Sequence, residues 1–311
     1  MSGVITGFAI ILAVIGAGAL LARFGIIGNE REQLVLNRVA FYAASPALLF
    51  SAVAESEAKM LFSPVIVVIF FATVGTSLLY LLISRLFFRQ DLPTTTMGAA
   101  SASYFNSVNI GLPVSVYVLG GATYVVPVLV LQMVVFTPFV LAGLNSGKTG
   151  GRSPAARVVD SLRSALINPI MLGSLLGLAV ALTGITIPDP AMRPIEILGG
   201  AAIPMILISF GSSLRRTAPL SSLEDRPGTI VATTLKLAGM PLLAWLIGLG
   251  LGLPAEQLYA CVILAALPTA QNVYNYAATY QRGIIVARDT VFLTTFGSLP
   301  IMLAIAFLFG K

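Results

Sequence analysis

Two short stretches carry polar groups that an apolar chain has little reason to keep. The first, FNSVNIGLPVSV at 105–116, holds Asn106, Asn109, Gly111 and Pro113. The second, LPTAQNVYNYAATY at 267–280, holds Pro268, Thr269, Gln271 and Asn272. A carboxamide can both donate and accept hydrogen bonds. Proline lacks an N–H, and its ring clashes with the carbonyl four residues back, so each stretch interrupts a helix that contains it. Gly111 weakens the first by about 1 kcal/mol more. An interrupted helix offers orphan N–H groups and the positive end of its dipole, which favour an anion. These residues can therefore bind a small anion, and bond-making chemistry is not among their means. The chain has no His, which removes His relays, His metal sites and His-activated nucleophiles. The GKT of NSGKTGG at 145–151 lacks the upstream Gly of a phosphate loop. A lone Cys261 gives no disulfide framework. No cofactor or metal is expected, and no enzyme.

The elements that hold these stretches are membrane helices. The chain is 57% hydrophobic and 10% charged, with a mean hydropathy of +0.96, and 311 residues leave room for many spans of about 20 residues. The first apolar run, from Val4 to Leu21, has no basic leader and reads as a retained span. Apolar runs set ten candidate spans at 3–24, 34–54, 60–84, 95–118, 121–145, 162–184, 190–213, 228–251, 255–281 and 284–309. The fold class is an all-α polytopic membrane protein. The Gly-, Ser- and Lys/Arg-containing stretch 146–158 reads as a cytoplasmic linker between a first half, 1–145, and a second, 159–311.

The net charge is +6. Alternating sides collect nearly all basic residues on one face of the membrane, among them Arg85, Arg89, Lys148, Arg152, Arg215, Arg216, Arg282 and Arg288. The other face receives Lys59, Arg193 and Lys311. This asymmetry makes the rich face cytoplasmic and puts both termini outside. The charge is then topological, and no nucleic-acid partner is implied.

Prolines recur in the same order in the two halves: Pro46 with Pro204, Pro113 with Pro268, Pro138 with Pro300. Five spans per half is an odd number, so the halves must insert with opposite orientation, an arrangement found in many secondary transporters. Two central interruptions entering from opposite faces can then cross. Irregular backbone at that depth survives only inside protein or beside a wet cavity. Pro46, Pro138, Pro204 and Pro300 have no amides beside them and read as kinks.

Carboxylates lie in loops or near span ends, so no paired acidic site for cation exchange is expected. Lys236 is the one basic residue deep in a span, and an intramembrane charge points to function. Three roles are open to it: reaching back to the cytoplasmic interface, pairing with Asp289, or attracting the substrate anion.

The stretch NSVNIGLPV, with Asn109, Gly111 and Pro113 in an N-x-G-x-P pattern, resembles the fourth span of the auxin efflux carrier family. LPTAQNVYNYAATY resembles that family's ninth span, NPIMLGSLLGL (168–178) its sixth and LGGAAIPMILISFGSSL (198–214) its seventh. The short 146–158 linker is similar to the prokaryotic branch, which includes malonate and malate permeases. The resemblance implies a homodimer with a scaffold of spans 1, 2, 6 and 7 and a mobile unit of spans 3–5 and 8–10. It implies carriage of small organic anions such as malonate, malate or auxin-like acids across the inner membrane. Span three has no equivalent of the acidic residue proposed to handle protons in some plant members, which leaves the coupling ion open. A sodium-coupled bile-acid-type symporter of the same fold is the alternative, although its dense sodium-liganding motif is not seen; an anion channel is a further one.

Overall fold

The computed structural model describes residues 2–55, 63–88, 90–111, 114–115, 118–120, 124–145, 167, 169–213 and 219–310. Described helices are α1 (Ser2–Arg23), α2 (30–54), α3 (64–88), α4 (Leu92–Ser103), α5 (125–145), α6 (Pro169–Thr183), α7 (189–213, turning at Ala201), α8 (226–250), α9 (Ala255–Ala265), α10 (Gln271–Tyr280) and α11 (Ile284–Leu308). No strand is present among the described residues; there is one isolated bridge, between Phe105 and Thr269. Among the described residues, five helices are long and apolar enough to cross a membrane: Arg31–Ala54, Pro64–Phe88, Asp189–Ser209, Arg226–Gly250 and Ile284–Leu308. Their outward faces carry large apolar side chains such as Phe71, Leu78, Leu82, Leu242 and Leu246, which suits lipid and not water. The 146–158 linker lies outside the described residues.

Several helices widen for one turn where a proline follows. Ala40–Ala44, Gln132–Phe136 and Leu235–Gly239 are π turns, closed by Ser45 N to Ala40 O, Thr137 N to Gln132 O and Met240 N to Leu235 O. Pro46, Pro138 and Pro241 come next. A ring that cannot donate and crowds the carbonyl four back is accommodated by shifting the preceding donor to the carbonyl five back, at the cost of one inserted residue. Pro46 and Pro138 thus act within continuous helices, while Pro300 stays inside α11. The inserted residue also re-aims nearby side chains: Gln132 and Lys236 both lie in π turns.

Packing gathers the helices into two groups. α1 packs along the Ala202–Ser213 part of α7, and the Ser45–Ala54 part of α2 packs on α6 and on Asp189–Gly200. In the other group α3 packs on α4, α8 and α9, α4 on α5, α8 and α11, and α10 on α11. The contact of α1 with α7 is made by bare backbone. A Cβ on Gly18 would fall inside contact distance of Ile208 O, and one on Gly211 inside that of Ile15 O. Small residues that let backbones approach closely are how helices associate where lipid is as apolar as leucine.

Candidate functional site: two interrupted helices back to back

The first interruption falls at Tyr104–Asn106, between α4 and a π turn at Ser107–Gly111. Sequence reasoning set it nearer Gly111 and Pro113. Gly111 N bonds Asn106 O, five residues back, so the chain after the interruption resumes as a widened turn. Pro113 lies outside the described residues, and so does the side chain of Asn109, whose backbone is in the π turn. The second interruption, at 266–270 between α9 and α10, contains Pro268 as expected.

The two interruptions meet. Asn106 N donates to Pro268 O at 2.8 Å and Ala270 N to Tyr104 O at 2.9 Å, a reciprocal antiparallel pair centred on Phe105 and Thr269. Asn106 therefore stands opposite Pro268. Gly111 belongs to the same junction: a Cβ there would lie 2.9 Å from Leu267 Cδ1 and 3.0 Å from Asn106 O.

Side chains from three helices, and that of Thr269 itself, satisfy further main-chain groups. Gln132 Nε2 of α5 donates to Phe105 O at 2.9 Å, and its Oε1 accepts from Ser107 Oγ. Thr269 N donates to Thr294 Oγ1 of α11 at 3.0 Å. Thr269 Oγ1 donates to Ser101 O of α4 at 2.6 Å. Lys236 Nζ of α8 donates to Ala265 O at 2.7 Å. Each such group left bare in hydrocarbon would cost several kcal/mol. Phe105, Thr269, Lys236 and Leu267 are fully buried, so protein must supply every partner. Gln132, Thr294 and Ser107 escaped sequence reasoning. A lone Gln or Thr in an apolar run has no local partner, and only its isolation marks it.

A narrow cleft opens beside the junction, lined by Asn106, Ile110, Ile206, Leu207, Gln271, Val291 and Thr295. Ile206 and Leu207 belong to the first packing group and the rest to the second, so the cleft lies between the groups. Asn106 is 8% exposed and Gln271 half-buried on the first turn of α10. Gln271 N and Asn272 N, the first amides of α10, find no acceptor among the described residues. Asn272 is half-buried beside Gln271 and is not one of the residues lining the cleft.

The two candidate charges do not meet. Lys236 is 0% exposed, and besides Ala265 O it touches Met240 Sδ at 3.1 Å and the ring of Phe105, 5.3 Å from its centroid. Its head therefore turns toward the junction and not toward an interface. Asp289 accepts from Leu220 N at 2.8 Å and pairs with Arg288 Nε at 2.8 Å. No group of three or more metal-ligating side chains occurs among the described residues.

Buried, interrupted helices crossing in an apolar helical chain define a membrane transporter class, and the comparisons agree. Residues 4–306 match the family described as "Membrane transport protein", and the chain belongs to that family, the auxin efflux carrier family. It is 27% identical over 307 residues to a protein of Rhizobium meliloti (strain 1021) described as "Putative malonate transporter", covering 94% of this chain and 95% of that one. It is 26% identical over 296 residues to an "Uncharacterized transporter" of Methanothermobacter thermautotrophicus, with 93% of each chain covered.

Proposed function

We propose that this multi-pass membrane protein is a secondary carrier of small organic anions, carboxylates such as malonate or malate, working by alternating access at the junction of the two interrupted helices. The observation that carries the reading is the reciprocal main-chain pairing of Tyr104–Asn106 with Pro268–Ala270 beside a largely apolar cleft whose polar groups are two carboxamides and a hydroxyl. A carboxylate there meets the carboxamides of Asn106 and Gln271, the hydroxyl of Thr295 and the first amides of α10. The positive end of α10 adds about 0.3–1 kcal/mol, and up to about 2 kcal/mol where partly buried. The relative described as a malonate transporter supports the substrate class.

The two packing groups are the natural rigid bodies for such a cycle. α1, α2, α6 and α7 would form the scaffold and the rest the moving unit, with the cleft lying between them. Ten spans in two inverted repeats, both termini outside and a dimer through the scaffold complete the arrangement in the inner membrane.

Reconstitution tests this directly. Proteoliposomes are offered radiolabelled malonate, malate, lactate and indole acetate, with and without proton or sodium gradients. Saturable uptake of at least one acid, lost in an Asn106→Ala/Gln271→Ala protein of unchanged melting temperature, is the expected result. Uptake of none, or normal uptake by the double variant, would sink the reading.

A further inference from the structure

α9 ends in the protein interior, at Ala265, with Ala265, Ala266 and Leu267 all fully buried. The last four carbonyls of a helix lack intrahelical donors. Here three of them find main-chain partners: Ala266 N reaches Val262 O and Ile263 O, and Leu267 N reaches Leu264 O. Ala265 O is the fourth, and its donor is Lys236 Nζ at 2.7 Å. The same head touches a thioether sulfur, Met240 Sδ at 3.1 Å, and faces an aromatic ring, Phe105 at 5.3 Å. Carbonyl oxygen at the negative end of a helix, sulfur and a ring face are all electron-rich, and together they are the surroundings that a cation takes. Among the described residues no carboxylate shares them: Asp289 is held by Arg288 and Leu220.

We propose that Lys236 is a tethered counter-cation at the junction, neutralising the carbonyl end of α9 and fixing it against Phe105 of the other interruption, so that the carrier needs no free monovalent cation there. The inference rests on the transport reading above and deepens it by naming the ion the junction does not need. Lys236 is a positioning residue: it holds the ends of the interruptions in register and leaves the substrate to Asn106, Gln271 and Thr295.

The test uses the full-length protein in proteoliposomes and in detergent. Malonate uptake by the unaltered protein is expected to be equal in sodium, potassium and choline media. Lys236→Ala should lose about tenfold or more, since a buried carbonyl loses its donor, and should regain uptake with millimolar ammonium or methylammonium but not with choline. The same small cations should raise the melting temperature of Lys236→Ala and leave that of the unaltered protein unmoved, as binding to a vacated site requires. Sodium-dependent uptake by the unaltered protein overturns the proposal. So does a Lys236→Ala protein that transports normally, or whose loss no small cation reverses. If Lys236→Ala does not fold, Lys236→Arg is expected to transport and Lys236→Met not to, and any other order overturns it. If the unaltered protein moves no carboxylate in any medium, the transport reading fails by itself, and the melting shifts still decide this inference.

Discussion

Phe105 and Thr269 face each other across an antiparallel bridge although 163 residues separate them in the chain. Each interruption supplies the hydrogen-bond partners that the other has lost. Neither would be tolerable alone in so buried a place, and together they form a small frame beside which the cleft lies.

The frame depends on Thr294. Replacing it with Val removes the acceptor for Thr269 N and leaves a buried N–H unpaired, which costs about 1–3 kcal/mol. A lower melting temperature in Thr294→Val, and recovery of most of it in Thr294→Ser, is the expected result in a thermal unfolding series.

Gln132 serves two groups at once, Phe105 O and Ser107 Oγ. Gln132→Leu should therefore cost more than either Thr294 change, with about 1–3 kcal/mol for each buried group left bare. Uptake per folded molecule is expected to fall as well, because Ser107 begins the turn that carries Ile110 into the cleft.

Gly111 has no room for a side chain between Leu267 and Asn106 O. Gly111→Ala should destabilise by about 1–3 kcal/mol through overpacking. Leu267→Ala in the same molecule vacates the nearest atom, so the pair should be less damaging than the sum of the two changes, a non-additivity that a double-mutant cycle reads out.

Thr295 lines the cleft, and among the described residues its hydroxyl bonds Val291 O within its own helix. Thr295→Val should leave the melting temperature near the original and raise the KM for the transported acid by about tenfold or more, as the loss of one hydrogen bond to a charged group predicts. An unchanged KM would remove Thr295 from the proposed contact set.

The packing of α1 on α7 offers a test of the scaffold alone. Gly211→Ala presses a methyl group against Ile15 main chain, and a shift of backbone costs about 1–3 kcal/mol. Loss of melting temperature without a change in KM is expected, since Gly211 does not line the cleft.

The legible part of this molecule was the part written in local chemistry. Prolines and amides in apolar runs announced both interruptions, and the apolar runs announced the helices that carry them. Pro46 and Pro138 read correctly as distortions within helices, because the clash of a ring with an upstream carbonyl is a local event. What stayed hidden depends on residues far apart in the chain. The bridge of Phe105 to Thr269 has no signature in either segment, so nothing local marks Asn106 as the residue opposite Pro268. Gln132 and Thr294 carry no local pattern at all. Lys236 stood out as an isolated charge, yet its direction could not be read, because a π turn rotates the helix just where it sits.

That rotation has a consequence of its own. The π turn at Leu235–Gly239 holds one residue that an ordinary helix would do without. Excising it would draw α8 shorter by about 1.5 Å and swing everything on one side by about 100°, turning the amine of Lys236 away from Ala265. The surplus residue is a setscrew: it selects the compass bearing of a lone side chain, and a one-codon deletion would undo it without altering any group that the junction uses.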